Sequence, residues 1–131
     1  MNQEFVTYEQ ALALKELGFD EPCFGWYFVD DIEKELRILK NEHNWTNTFH
    51  APLKQQVFRW FRENHNLRGF IGFRPNVKKF DYHIYDMSLS GIEYVKQRTM
   101  EEYNKDPLVG TYEEAESACI DKLIEIVKIN K

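Results

Sequence analysis

The fold is decided by residues 51–85, which read APLKQQVFRWFRENHNLRGFIGFRPNVKKFDYHIY. Pro52 suits the first turn of a helix, where a missing amide costs no hydrogen bond. Apolar residues then recur at the spacing of one helical face: Leu53, Val57, Trp60 and Phe61. Aromatic and β-branched residues dominate 70–73, which Pro75 ends, and 80–85. The stretch therefore predicts a helix followed by two strands.

The residues before this stretch predict a short helix and a strand. Thr7 and Gln10 fit a capping box, in which each side chain bonds the other residue's amide. Gly18 is a natural left-handed helix end. These signals predict a helix over about 8–17, and the aromatic run at 24–29 predicts a strand.

Residues 35–39 have two interpretations. They fit the returning arm of a hairpin, and they also fit a helical turn because Ile32, Leu36 and Leu39 follow helical spacing. We favour the hairpin, since a lone strand needs a partner for its backbone groups. The polar residues 41–50 are predicted to form a loop.

The C-terminal third predicts a further strand and a long helix. Residues 92–95 resemble a strand, and the strongly polar stretch at about 97–110 is predicted to be variable or mobile. Thr111 and Glu114 fit a second capping box. Behind it, a broad apolar arc indicates a helix that packs on more than one side.

These elements predict an α+β fold. A chain of 131 residues that is 43% hydrophobic has room for one core, so we expect a single compact domain over 1–131. We expect a small, mainly antiparallel sheet of four or five strands packed with about three helices. The predicted core consists of Trp26, Phe28, Leu53, Val57, Trp60, Phe61, Ile84, Leu123, Ile126 and Val127.

Charge is distributed unevenly along the chain. Residues 51–80 carry seven cations and one acid, Glu63, a net charge of +6 in a chain whose total is −5. Clustered cations attract anionic partners. The overall negative charge argues against wholesale coating of nucleic acid but is compatible with local recognition.

The basic segment supplies the candidate ligand-binding residues. An arginine beside an aromatic ring suits a phosphate attached to a base, because guanidinium binds phosphate bidentately and rings stack on bases. Gln55, Arg59 and Arg62 share a helical face with Phe58 at its edge. The predicted ligand-binding set is Gln55, Phe58, Arg59, Arg62, Arg68, Arg74 and Lys78. The alternative is that the arginines pair with the acidic flanks and Phe58 completes the core.

No catalytic, metal or cofactor site is predicted. The four histidines lack zinc-site spacing and are interpreted as surface residues. Cys23 and Cys119 form no Cys-x-x-Cys pair and are predicted to be buried, reduced thiols. Asp30 and Asp31 are interpreted as turn residues. These patterns favour a binding protein over an enzyme. We rank enzymatic activity third, after ligand binding and protein interaction.

Membrane association is not expected from the sequence. No apolar run reaches the roughly 18–20 residues of a membrane span, and the N-terminal residues lack the pattern of a secretory signal. We therefore expect a cytoplasmic location and no membrane partner.

Several segments carry a family resemblance. They are residues 5–11 and 17–20, residues 51–53 and 55–63, and residues 112–116 and 123–128. In these segments the chain resembles a family of small uncharacterised proteins of bacteriophages and prophages of gut bacteria. The family varies between about 66 and 110 and has no established activity. The resemblance implies a phage-type context, within the cytoplasm of the bacterial host.

Two functional hypotheses follow. The first is a non-catalytic protein that binds or sequesters an anionic ligand, either a nucleotide signal or single-stranded nucleic acid, through the basic aromatic segment. In a phage context this would allow interference with a nucleotide-based host defence. The second is a protein-interaction module that binds a host or phage protein through a sheet edge or through residues 86–110. The sequence does not determine the oligomeric state.

Overall fold

The computed structural model describes residues 2–38, 47–87 and 110–129. Its elements are a 3-10 turn (Asn2–Glu4), α1 (Tyr8–Glu16), β1 (Gly25–Phe28), β2 (Arg37–Ile38), β3 (Thr48–Ala51), α2 (Lys54–His65), β4 (Leu67–Arg74), β5 (Lys79–Asp86) and α3 (Tyr112–Ile129). The predicted α+β class is confirmed. Within the described ranges the strands form two antiparallel sheets, of three and two strands. A single sheet of four or five strands is not confirmed.

The chain divides into two compact units, Met1–Gln56 and Val57–Lys131, with the boundary inside α2. We call them the first and second units. The organisation of the whole chain as one domain stays a prediction. The predicted strand at 92–95 and nearly all of the polar stretch at 97–110 lie outside the described residues.

In the first unit, α1 begins and ends as predicted. Gln10 N donates to Thr7 Oγ1 at 3.2 Å and Thr7 N donates to Gln10 Oε1 at 3.0 Å, which completes the capping box. The chain leaves the helix through Gly18, whose φ of +99° is strained for other residues.

The sheet of the first unit has the order β2-β1-β3. Trp26 of β1 lies opposite Arg37 of β2, so the predicted hairpin is confirmed. On the other side of β1, Trp26 lies opposite His50 of β3. The prediction of a loop is therefore wrong at 48–50. The polar local sequence did not indicate this strand, whose paired residues lie 20 to 26 positions earlier in the chain.

Aromatic rings fill the core of the first unit. Tyr8 of α1 lies edge-on to Tyr27 and Phe49, with ring centroids 5.4 and 5.2 Å apart. Phe28 is 38% exposed, so its predicted place in the core is wrong. Tyr27 and Phe49 take that role because they point to the side of the sheet that α1 contacts.

In the second unit, β4 and β5 form an antiparallel hairpin with eight paired positions, from Leu67 opposite Asp86 to Arg74 opposite Lys79. The hairpin turn occupies residues 75–78. β4 begins at Leu67, three residues before its predicted start. Gly69 lies inside the strand.

Helix α3 packs against one face of this hairpin, the inner face. Gly69 allows the close approach, because a Cβ atom there would lie 2.8 Å from Cys119 Sγ and 3.2 Å from Phe58 Cε1. The predicted core residues of this unit are confirmed as buried: Val57, Trp60, Phe61, Ile84, Leu123, Ile126 and Val127. Trp26 and Leu53 of the first unit are half-buried.

No helix within the described ranges is long and apolar enough to cross a membrane.

Candidate functional site

The candidate site is the outer face of the β4–β5 hairpin. Residues that lie directly opposite each other in an antiparallel pair point to the same face. The inner face packs against α3. The outer face carries Arg68, Phe70, Gly72, Arg74, Lys79, Asp81, His83 and Tyr85. Charged and aromatic side chains are thereby gathered on one surface of one unit.

Three rings form a column on the outer face. The Phe70 ring lies parallel to His83, with centroids 5.1 Å apart and an interplanar angle of 24°. It also lies parallel to Tyr85, at 5.4 Å and 14°. Phe70 is 39% exposed, although most phenylalanines are buried. We call these three rings the ring column. It offers aromatic surface to a planar ligand.

A buried carboxylate anchors the other half of the face. Arg74 Nε donates to Asp81 Oδ2 at 2.9 Å, and the Asp81 side chain is only 5% exposed. Gly72 lies opposite Asp81, and a Cβ atom at Gly72 would clash with Asp81 Oδ1. Glycine at this position therefore leaves the space that the carboxylate occupies.

The second oxygen of this carboxylate has a different environment. Asp81 Oδ1 is buried and makes no hydrogen bond within the described structure. His83 Nε2 lies 3.3 Å away, close enough for an ion pair when the imidazole is protonated. Because Asp81 Oδ1 accepts no hydrogen bond in the described structure, we regard this contact as electrostatic.

Cations lie at both ends of the outer face. Arg68 is exposed at one end, and Lys79 at the other. Lys78, also exposed, is in the adjoining turn with a left-handed φ of 55°. Among the described residues no carboxylate lies within ion-pair distance of these three cations. Their charge is available to an anion, whereas that of Arg74 is shared with Asp81.

Of the predicted ligand-binding residues on α2, the three polar ones are exposed. Gln55 belongs to the first unit, and Arg59 and Arg62 belong to the second. Arg59 Nε lies 4.0 Å from Glu63 Oε1, a pairing inside the basic segment and not with the acidic flanks of the alternative interpretation. Within the second unit, the structure does not place Arg59 and Arg62 on the hairpin's outer face.

Phe58 requires a correction. It was predicted to present its ring beside the arginines, but it is 4% exposed and lies against Gly69 on the inner face. The lack of a side chain at Gly69 makes room for the ring. Phe58 therefore belongs to the core, as the alternative interpretation had it, and it offers no stacking surface.

Sequence reasoning missed the ring column. Phe70, His83 and Tyr85 were assigned to strands but were not connected with the basic residues. Arg68 and Arg74 are spaced from Phe70 by even numbers, which is the signal that places side chains on one face of a strand. For His83 and Tyr85 of β5, even spacing shows only that the two side chains share a face. The register of the hairpin is also needed to show that this is the face of Phe70.

The described residues offer no metal site, since no three His, Cys, Asp or Glu side chains among them come together. The Asp31 carboxylate accepts hydrogen bonds from the amides of Glu33 and Glu35, as expected of a turn residue. The ring of His65 lies 4.9 Å from that of Trp60. We therefore interpret the Asp31 carboxylate and the His65 ring as structural groups.

The first unit contains a half-open cavity of about 190 Å³. Phe19 and Phe49 contribute apolar surface, and Lys15 and Asp20 contribute charge. Pockets for small ligands usually measure about 300–1,000 Å³. The cavity is therefore a weaker candidate than the outer face of the hairpin.

Both cysteines are buried free thiols, as predicted. Burial, together with the smaller effect of the nearby Glu21 charge, raises the pKa of Cys23 to about 12. Since thiolate is the reactive form, we expect neither thiol to react with Ellman's reagent at pH 8 until the protein unfolds. In guanidinium chloride both should react. Rapid release of one equivalent from the native protein would contradict this prediction.

No protein-family model, curated protein sequence or solved structure matches the chain.

Proposed function

We propose that this is a non-catalytic binding protein that holds a nucleotide or a single-stranded nucleic acid on the outer face of the β4–β5 hairpin. One observation supports the proposal above all. The ring column, centred on Phe70, lies on the same face as Arg68 and Lys79, whose charges have no partner among the described residues.

This combination matches the chemistry of the ligand. A base stacked on an aromatic side chain contributes about 1–3 kcal/mol of binding energy, with little dependence on which base it is. Arginine and lysine supply the attraction for phosphate. Sheet surfaces that bind RNA use the same combination of exposed rings and cations.

The wider setting of this function stays a prediction. The phage-type context, the cytoplasm of a bacterial host and the lack of catalysis are expectations from the sequence alone. The net charge of −5 confines the attraction for phosphate to local surfaces such as this one.

The first test removes the central ring. Phe70→Ala is expected to weaken binding of a fluorescein-labelled oligothymidylate of eight nucleotides by about 5- to 150-fold, which corresponds to the lost stacking energy of about 1–3 kcal/mol. Fluorescence anisotropy at 50 mM salt measures the dissociation constant. A parallel titration with a labelled adenine mononucleotide shows whether a single nucleotide suffices.

The chain offers a matched control for this test. Phe73 lies on the same strand, is 52% exposed and points to the inner face. Phe73→Ala should bind the oligonucleotide like the parent protein. Equal weakening by both substitutions, or full binding by Phe70→Ala, would contradict the assignment to the outer face.

A second pair of variants separates the hairpin from α2. Arg68→Ala with Lys79→Ala should weaken binding, whereas Arg59→Ala with Arg62→Ala should not. All four side chains are exposed, so melting temperatures should change little. The reverse result would place the ligand on α2, where the sequence alone had placed part of the site.

A protein-interaction module is the second candidate, and one observation favours it. The first unit exposes several large apolar side chains. Ile32 is 95% exposed and Phe24 is 64% exposed. A purified protein partner that binds the parent and Phe70→Ala equally, but not Ile32→Asp, would support this function. Absence of any oligonucleotide or nucleotide binding would do so as well.

A further inference from the structure

We infer that the ligand of the outer face is a single strand several nucleotides long that runs along the hairpin, and not a mononucleotide. The inference rests on the proposed function. It comes from the separation of the cations and from the position of the ring column in the half of the face nearest Arg68.

The cations are too far apart for one phosphate group. Arg68 and Arg74 are six residues apart on β4, which places their Cα atoms about 20 Å apart at the usual rise of a strand. Lys79 lies opposite Arg74, and Lys78 precedes it in the turn. The available charges therefore lie at opposite ends of the hairpin, and a mononucleotide reaches only one end.

Each pair of opposite residues on the outer face forms one row, and the rows carry different kinds of side chain. Arg68 and Tyr85 form the first outer row, and Phe70 and His83 form the second. The third row, Gly72 and Asp81, has neither a ring nor a cation. The rings thus occupy the half of the face nearest Arg68. Bases would stack in that half, and the sugar–phosphate backbone would continue past the third row to Lys79.

The separation sets the length of strand required. Phosphates in a stacked strand recur about every 3.4 Å, so roughly six stacked nucleotides cover the distance, and fewer if the strand is extended. Site sizes of about 4–16 nucleotides are usual for a single small domain that binds single strands.

A length series tests the inference. Labelled oligothymidylates of 2, 4, 6, 8 and 12 nucleotides are titrated into the full chain, and thymidine monophosphate is tested as an unlabelled competitor. We expect at least a tenfold gain in affinity from the dinucleotide to the hexanucleotide. From 8 to 12 nucleotides the gain should be less than threefold, because the face is then filled.

Salt dependence shows whether one strand reaches both ends. Each phosphate contact contributes about 0.7 to the slope of log affinity against log salt for a single strand. For the octanucleotide, Arg68→Gln and Lys79→Gln should each reduce the slope by about that amount. For the dinucleotide, at most one of them should do so. Arg62→Gln, an exposed arginine on α2, is the matched control and should leave both slopes unchanged.

The possible results separate the inference from the proposed function. If thymidine monophosphate competes within threefold of the hexanucleotide while Phe70→Ala abolishes binding, the inference is wrong and the proposed function stands. If the octanucleotide slope responds to only one of the two substitutions, the strand does not span the face and the inference is also wrong. If neither an oligonucleotide of any length nor the labelled adenine mononucleotide binds, the proposed function is wrong, and the inference falls with it.

Discussion

Trp60→Ala is expected to lower the free energy of unfolding by about 3–5 kcal/mol, the usual cost of removing a buried tryptophan. Trp60 is only 5% exposed, and its ring lies 5.0 Å from Phe61 and 4.9 Å from His65. Since domains of this size are stable by about 5–15 kcal/mol, the loss should shift the urea midpoint strongly. Phe73→Ala, which removes a ring that is 52% exposed, is the control and should cost less.

A variant that unfolds at low urea concentration or without urea would agree with this expectation. A Trp60→Ala protein with the midpoint of the parent would contradict it, and α2 would then not belong to the core.

The second large effect is expected from Arg74→Ala, which leaves the Asp81 carboxylate buried without its cation. Breaking a fully buried ion pair costs about 3–5 kcal/mol. Because the Arg74 side chain is 33% exposed, we expect about 2–3 kcal/mol at pH 7. Thermal and urea unfolding measure the difference, and Arg68→Ala on the same face should cost less than about 0.5 kcal/mol.

A double variant shows where that cost arises. Arg74→Ala with Asp81→Ala removes the isolated charge along with its partner, so it should be more stable than Arg74→Ala alone. If the two substitutions destabilise additively, the ion pair contributes nothing and the carboxylate is already stabilised by other groups.

The elements that could be predicted are those that depend on near neighbours. The capping box at Thr7 and the end of α1 at Gly18 are both encoded within a few residues. The alternation along 80–85 predicted β5 for the same reason. β3 escaped prediction because its three polar or short residues become a strand only through pairing with β1. The division of the strands into two sheets depends on contacts between distant segments, which local patterns do not contain.

The candidate site shows the same limit. Composition located the basic aromatic segment, but helical spacing alone left Phe58 at the edge of the apolar face. Its burial depends on Gly69, which is 11 residues away and on another element. Phe70 became the exposed ring instead, because the register of the hairpin places it on the face that α3 does not cover.

The two-stranded hairpin has a further consequence. Among the described residues, β4 and β5 pair only with each other, so each strand has a second side on which backbone groups could pair with another chain. Lysines and other charges on such strands hinder aggregation. We therefore expect the exposed charges of Arg68, Lys78 and Lys79 to hinder such pairing, apart from the attraction for phosphate that we propose for them. A version of the protein stripped of all three charges would become prone to self-assembly, and binding studies on it would need a check of particle size.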